Sequence, residues 1–440
     1  MKFKSFVTKY FIVFLLIISY EQIAACQNES MGHWSGMMNR DGSEMNVSFE
    51  FRTQNNKFIG YFTAPSQLAS GIPLDSISIK NDSLSFQLMT SPVSYFRCKV
   101  LENNIIGQII QQGFSDGKIV LTRSKQPVNK IVQRDTSFIS ADHRIACRIY
   151  FPKDNTKHPA VVFIHGSGGE GMFANQYIAE YLAEKGIITL IQDKQGVGKS
   201  TGNWTTASFD DLAEDYGNAV EFLKTFQHVN EAQIGIYGHS QGGTISPLVT
   251  SKSKEISFVI AAAAIADSVY KQDIYRVENN LKSNGFDLHE IEEAMIYYIE
   301  WLNIARTGTG FEKLDSLNKV SEKEKWYDWV AAPPKEHWIW NYYLKTGNFN
   351  SLDYWKNIKV PVLLVYGQRD QIEDVNTYIK KIDGTLIVEG HNKDVTRLIL
   401  PEAEHNLCIF PAQSEKFFWW HISPGYLDLI SGWILYRFND

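Results

Sequence analysis

The segment Gly238-His239-Ser240-Gln241-Gly242 fits the pattern Gly-x-Ser-x-Gly. A serine so placed can attack an acyl carbon if the chain turns from strand to helix within a residue or two and presents the hydroxyl at a sheet's edge. That turn crowds the positions two before and two after the serine, and glycine relieves the crowding. The helix that follows directs its N-terminal amides at the reacting carbon. Serine at its free pKa is a poor nucleophile and needs a base, and the base needs an orienting carboxylate. Asp370 lies just past the apolar run Pro361-Val-Leu-Leu-Val-Tyr-Gly367, and His405 just past Leu398-Ile-Leu400. Ser240, Asp370 and His405 come in the chain order nucleophile, acid, base that accompanies the Gly-x-Ser-x-Gly pattern. Glu373 and Asp374, one helical turn beyond Asp370, are alternative acids. His391 and His421 lack as good a preceding strand, and His165 and His239 fall inside other motifs.

A second loop can supply hydrogen-bond donors to an oxyanion. His165-Gly166-Ser167-Gly168-Gly169 follows the apolar run Ala160–Ile164. Backbone amides approach a substrate carbonyl closely only where side chains are small. The expected donors are the amides of Gln241 and Ser167, with Gly166 as the alternative to Ser167. One such donor is typically worth roughly 3–4 kcal/mol of transition-state stabilisation. Gly196-Val-Gly-Lys-Ser-Thr201 looks like the end of a phosphate-binding loop, but Asp193 stands where that loop needs a glycine or another small residue. A carboxylate there repels phosphate. The segment reads instead as a tight turn flanking the pocket.

These residues need a scaffold. From about residue 130, two strand-like stretches, 131–139 and 146–151, precede alternating strands and helices. Strands are expected at 160–164, 187–191, 234–237, 258–263, 360–365, 386–388 and 397–400. Helices are expected at 174–185, 209–226, 242–251 and 426–436. This alternation implies a parallel sheet covered by helices. Residues 266–350 lack strand runs and read as a helical insertion. Six of the 11 Trp fall between Trp301 and Trp355, in or beside this insertion, where rings can form its own core, line a pocket, or both.

Ahead of this region, residues 32–123 read as all-β. Met45–Arg52 alternates apolar and polar, and further strands are expected at 57–63, 72–79, 84–88, 93–100, 105–111 and 118–122. Gly32-His-Trp-Ser-Gly36 resembles the Gly-x-Trp opening of lipocalin-like barrels, and a core Trp in a β-sandwich is the alternative. Ser124–Asn129 reads as a linker. The domains are thus 26–125, 130–440 and the insertion 266–350.

Residues 1–25 read as a signal peptide, with Lys2, Lys4 and Lys9 before the apolar run Phe11–Ile18. Ile23-Ala24-Ala25-Cys26 resembles a lipobox, which implies a membrane anchor at Cys26 in the cell envelope. Ordinary cleavage near Ala25, giving a periplasmic or secreted protein, is the alternative. Loss of three lysines and one glutamate takes the net charge from −6 to −8. An acidic chain without a Lys/Arg block is a poor nucleic-acid binder. Cys98, Cys147 and Cys408 read as free buried thiols, with a Cys98–Cys147 bridge as the alternative.

Residues 130–440 resemble the serine α/β-hydrolases, specifically bacterial exported esterases with a Gly-His-Ser-Gln-Gly elbow. Asp193–Ser200 is similar to the Asp-x-x-Gly-x-Gly-x-Ser loop of that group. The resemblance implies an α/β-hydrolase fold, mostly parallel with helices on both faces and a helical cap. It also implies hydrolysis of a small-molecule ester through an acyl-enzyme on Ser240, with no metal or organic cofactor. The same fold serves prolyl and dipeptidyl peptidases. A lipid-binding lipoprotein with a vestigial triad is a third reading. Oligomeric state is open.

Overall fold

The computed structural model describes residues 29–372, 374–410, 417 and 419–438. The expected signal peptide, Cys26 and Glu373 lie outside the described residues. The chain forms two compact units, Met1–Asn129 with Phe410–His421, and Lys130–Ile409 with Ile422–Asp440.

The first unit is one nine-stranded antiparallel meander. In sheet order its strands are Ala69–Pro73, Lys57–Ala64, Ser43–Gln54, Gly32–Arg40, Gly117–Ser124, Asn104–Gln111, Ser94–Leu101, Ser83–Leu88 and Asp75–Lys80. Phe49 and Phe86 are five strands apart in that order, about 24 Å across a flat sheet at ~4.8 Å per strand. Their ring centroids are 5.4 Å apart. The sheet therefore curls on itself, and a two-sheet sandwich is not what forms. Alternate residues of the seven strands between the two edges fill the interior, including Trp34, Phe49, Phe51, Phe86 and Phe96. The stretch 72–79 is two strands rather than one. Pro73 has no amide to donate, and the following Leu74 amide donates to the Gly60 carbonyl at 2.9 Å. Buried Arg40 packs against Phe417 and Trp419. Its guanidinium lies 4.8 Å from the Phe417 ring and 5.2 Å from the Trp419 ring.

The second unit is built on an eight-stranded sheet. Its order is Ile131–Ser140, His143–Pro152, Ile188–Gln192, His158–Ile164, Val229–His239, Ile256–Ala262, Val362–Gly367 and Val395–Leu400. The first two strands pair antiparallel, as do the second and third, and all other pairs are parallel. Ala160–Ile164 is buried throughout, as a strand covered on both faces requires. Helix Phe209–Lys224 starts on a Ser208–Asp211 capping box and buries Phe209, Leu212, Tyr216, Val220 and Leu223 at helical spacing. It packs against Gln241–Lys252, and Gln176–Glu184 packs against Tyr426–Tyr436.

The expected strand at 386–388 is instead a π-helical turn, Gly384–Glu389, continuing helix Val375–Asp383. Three apolar residues between glycines carry no periodicity, and burial of Leu386 is satisfied by a helix as well as by a strand. The Cys98–Cys147 bridge does not form, because each thiol is buried in its own unit's core. All three described cysteines are free, and burial pushes their thiols up to about 12.

The cap comprises helices Val269–Ser283, Leu288–Thr307, Phe311–Ser321, Tyr327–Val330, Ile339–Thr346 and Leu352–Trp355. An antiparallel bridge between Ser268 and Asn350 closes its base. Trp301, Trp326, Trp340 and Trp355 are buried in its core, whereas Trp329 is 51% exposed.

Candidate active site

Strand Val229–His239 runs straight into helix Gln241–Lys252, with Ser240 as the single residue between them. Its backbone sits at φ 56, ψ −120, a region that costs of order 1–3 kcal/mol for a residue with a side chain. The two glycines make the turn fit. A Cβ on Gly238 would lie 2.3 Å from the Gly242 carbonyl carbon, and one on Gly242 would lie 2.3 Å from the Ile164 oxygen. Gly242→Ala is therefore expected to destabilise the protein by about 1–3 kcal/mol, read as a lowered Tm in thermal unfolding. An unchanged Tm would contradict so close a seat.

The three residues expected at separate strand ends meet here. Ser240 Oγ lies 2.9 Å from His405 Nε2, and His405 Nδ1 lies 2.9 Å from Asp370 Oδ2. The Asp370 side chain is fully buried, and its Oδ1 accepts from the Ile372 amide at 2.8 Å. The alternatives are engaged elsewhere. Asp374 caps helix Val375–Asp383 by accepting from the Thr377 amide. His165 is sealed against the Tyr216 hydroxyl at 2.9 Å, and burial with the nearby Lys194 charge pushes its ring down to about 3. His391 follows the π-helical turn, and His421 belongs to the β-unit. His239 makes a contact with His405 that the motif conceals. Its Nε2 donates to the His405 carbonyl at 2.9 Å, and burial, with the His405 charge acting the same way, pushes its ring down to about 4.

The glycine-rich loop 165–169 is held from both sides. The Gly166 amide donates to Glu170 Oε2 at 2.9 Å, so it is engaged, and Ser167 is left as the loop's expected donor beside Gln241. Behind the loop lies Lys194, 2% exposed. Its ammonium donates to the Gly166 and Gly168 carbonyls, each at 2.6 Å. Sequence reasoning missed this residue because it sits inside the phosphate-loop look-alike. In that turn Asp193 fills the place of an anion itself, accepting from the Met172 and Lys199 amides, both at 2.9 Å.

Ser240, His405, Ser167 and Gln241 line a cavity of about 520 Å³ roofed by cap residues, among them Arg276, Trp338, Tyr342 and Tyr343. Gln241 Nε2 donates to the Tyr342 hydroxyl at 3.3 Å, which ties the elbow to the cap. The aromatic cluster thus divides between the cap's own core and the cavity wall. Among the described residues, no group of three or more His, Cys, Asp or Glu could hold a metal ion.

A mostly parallel, helix-covered sheet with an elbow after one central strand and a helical cap defines an α/β-hydrolase, here preceded by an antiparallel β-unit. Comparison with known proteins is more specific. A family model described as "Serine aminopeptidase, S33" matches residues 155–409, more than half of the chain, and the chain belongs to that family. It is 25% identical over 302 residues to esterase EstD of Thermotoga maritima, covering 66% of this chain and 65% of that one. It is 23% identical over 242 residues to the uncharacterized protein PA2218 of Pseudomonas aeruginosa, covering 51% of this chain and 64% of that one. The matches thus span just under two thirds of these relatives' own length. The solved structure of PA2218 aligns at TM-score 0.45 and 20% identity, covering 69% of this chain and 93% of that chain.

Proposed function

We propose that the protein hydrolyses carboxylic esters of small molecules through an acyl-enzyme on Ser240. The observation that carries this reading is the Ser240–His405–Asp370 relay, 2.9 Å at each step, on a strained elbow that faces a cavity lined by cap residues. Ser240 Oγ attacks the ester carbonyl carbon while His405 Nε2 takes its proton. The bond to the alcohol oxygen breaks, and His405 returns the proton to the departing alcohol. Water then attacks the acyl carbon, giving a proton to His405. The acid leaves, and Ser240 recovers its proton. Asp370 keeps the His405 Nδ1 proton in place and stabilises the imidazolium. The Gln241 and Ser167 amides receive the oxyanion.

A second reading is aminopeptidase action, favoured by the family's description and by the Glu170 carboxylate lining the cavity, where a substrate's ammonium terminus could pair with it. The test compares nitrophenyl butyrate with alanyl nitroanilide. The ester reading expects turnover of the former and only trace cleavage of the latter, and the reverse order would replace it with the peptidase.

We further propose export and lipid anchoring at Cys26. Cys26→Ser is expected to move the protein from the membrane to the soluble fraction, and unchanged membrane association would refute the anchor.

A further inference from the structure

The cap holds one polar cluster in a largely aromatic interior. On helix Val269–Ser283, Asp273 and Arg276 are three residues apart and pair, with Arg276 Nε donating to Asp273 Oδ1 at 2.5 Å. Asp273 Oδ2 accepts from the Tyr298 hydroxyl at 2.6 Å and also from the Tyr343 hydroxyl. Asp273 is buried, whereas the Arg276 side chain keeps 38% of its surface exposed. This pair is also asymmetric. The carboxylate is satisfied by three donors, whereas the guanidinium uses only Nε. Its two terminal nitrogens have no protein partner among the described residues, and neither is among the sealed, unpartnered atoms, so they remain accessible. Arg276 lines the 520 Å³ cavity that contains Ser240 and His405, and it also lines an adjoining cleft of about 260 Å³ with Trp329, Ile339 and His337. The other carboxylate at the cavity, Glu170, stands on the oxyanion-loop side, with one oxygen on the Gly166 amide.

A guanidinium anchored through Nε presents its remaining two-nitrogen edge as a fork, the geometry that receives a carboxylate through two parallel hydrogen bonds. Because Asp273 is fully engaged, it orients that fork instead of competing for it. We propose that Arg276 is a carboxylate-binding subsite, and that the substrates are esters carrying a free carboxylate remote from the bond that is cleaved. This rests on the reading of Ser240 as nucleophile. The carboxylate can belong to the acyl or to the alcohol part, and the chemistry of recognition is the same.

The test uses the whole protein and two matched pairs. Mono-nitrophenyl glutarate against nitrophenyl butyrate puts the charge on the acyl side. 4-Carboxyphenyl acetate against phenyl acetate puts it on the alcohol side. The readout is the ratio of kcat/KM for the charged ester to that for its neutral partner, in the wild type, Arg276→Gln and Arg276→Lys. In one of the pairs, Arg276→Gln is expected to lower the ratio roughly tenfold to a hundredfold, mainly through KM, as loss of a charge-assisted bidentate contact does. Arg276→Lys keeps the charge without the fork and should fall between. A fluorophosphonate that labels Ser240 reports whether each variant is folded. If the Gln variant is not labelled, the Lys variant decides by a severalfold drop. A ratio unchanged within about twofold in both pairs overturns the subsite. If the wild type hydrolyses neither neutral ester and Ser240 resists labelling, the hydrolase reading itself fails.

Discussion

Ser240→Ala is expected to lower kcat/KM for a short-chain nitrophenyl ester by roughly ten-thousandfold or more. The alanine removes the oxygen that His405 Nε2 faces at 2.9 Å, and no acyl-enzyme can form. Ser240 and His405 act as one unit, so the double variant with His405→Ala should be about as impaired as either single one. Asp370→Asn tests the relay from its far end. Asp370 Oδ1 accepts from the Ile372 amide at 2.8 Å, so an asparagine must keep its oxygen there and turn its NH₂ toward His405. That forces Nδ1 to accept, and Nε2 then carries the hydrogen and cannot take the Ser240 proton. The wrong tautomer typically costs on the order of ten-thousandfold in kcat, with the fold intact. Both variants are read by initial rates, with thermal unfolding as the control. More than about one hundredth of wild-type activity in Ser240→Ala would sink the serine mechanism.

The relay was legible in the sequence because each of its parts has a local signature. Ser240 is bracketed by two glycines that its turn demands, Asp370 follows the wholly buried strand Val362–Gly367, and His405 follows the edge strand Val395–Leu400, of which only Leu400 is buried. A strand end fixes where a side chain emerges, so three such ends along one parallel sheet bring their residues together. What was not legible depends on contacts between elements distant in sequence. Lys194 looks like part of a phosphate loop until Gly166 and Gly168 are placed against it. Arg276 is one of many charged residues on an amphipathic helix, and nothing local separates an inward one from a solvated one. The cap aromatics announced a buried region, but only helix packing sorts Trp355 into the core and Trp338 onto the cavity. The same limit explains 386–388, where three apolar residues fit a strand or a turn of helix and the neighbouring helix decides. In the β-unit, Pro73 did mark a break, but a break inside a short apolar stretch is overruled by alternation when only pattern is considered.

Lys194→Met is expected to lower kcat roughly tenfold to a hundredfold while leaving KM nearly unchanged. Methionine retains the bulk but none of the donors, so the Gly166 and Gly168 carbonyls lose the ammonium that each receives at 2.6 Å. Ser167 lies between those two peptides. Releasing them frees its amide from the position where an oxyanion would meet it, and one misplaced donor costs up to a hundredfold or more in kcat. Substrate binding before the reaction does not use that contact, which is why KM should hold. The lysine also has a pH signature. Burial pushes its ammonium from the ordinary 10.5 down to about 8, with the Glu170 carboxylate acting against the shift. The folded protein therefore releases this proton at lower pH than the unfolded chain does. Between about pH 8 and 10.5 the unfolded chain holds more protons, so this site's contribution to stability rises with pH across that window. The Tm of the wild type minus that of the Met variant should accordingly grow from pH 8 to 10.5. Over the same range the wild type's advantage in kcat should shrink, because a neutral amine makes weaker bonds to the two carbonyls than an ammonium does. A purely structural lysine would move the Tm difference and leave kcat alone. A Met variant with a lowered Tm but full kcat would therefore remove Lys194 from the positioning of the oxyanion loop.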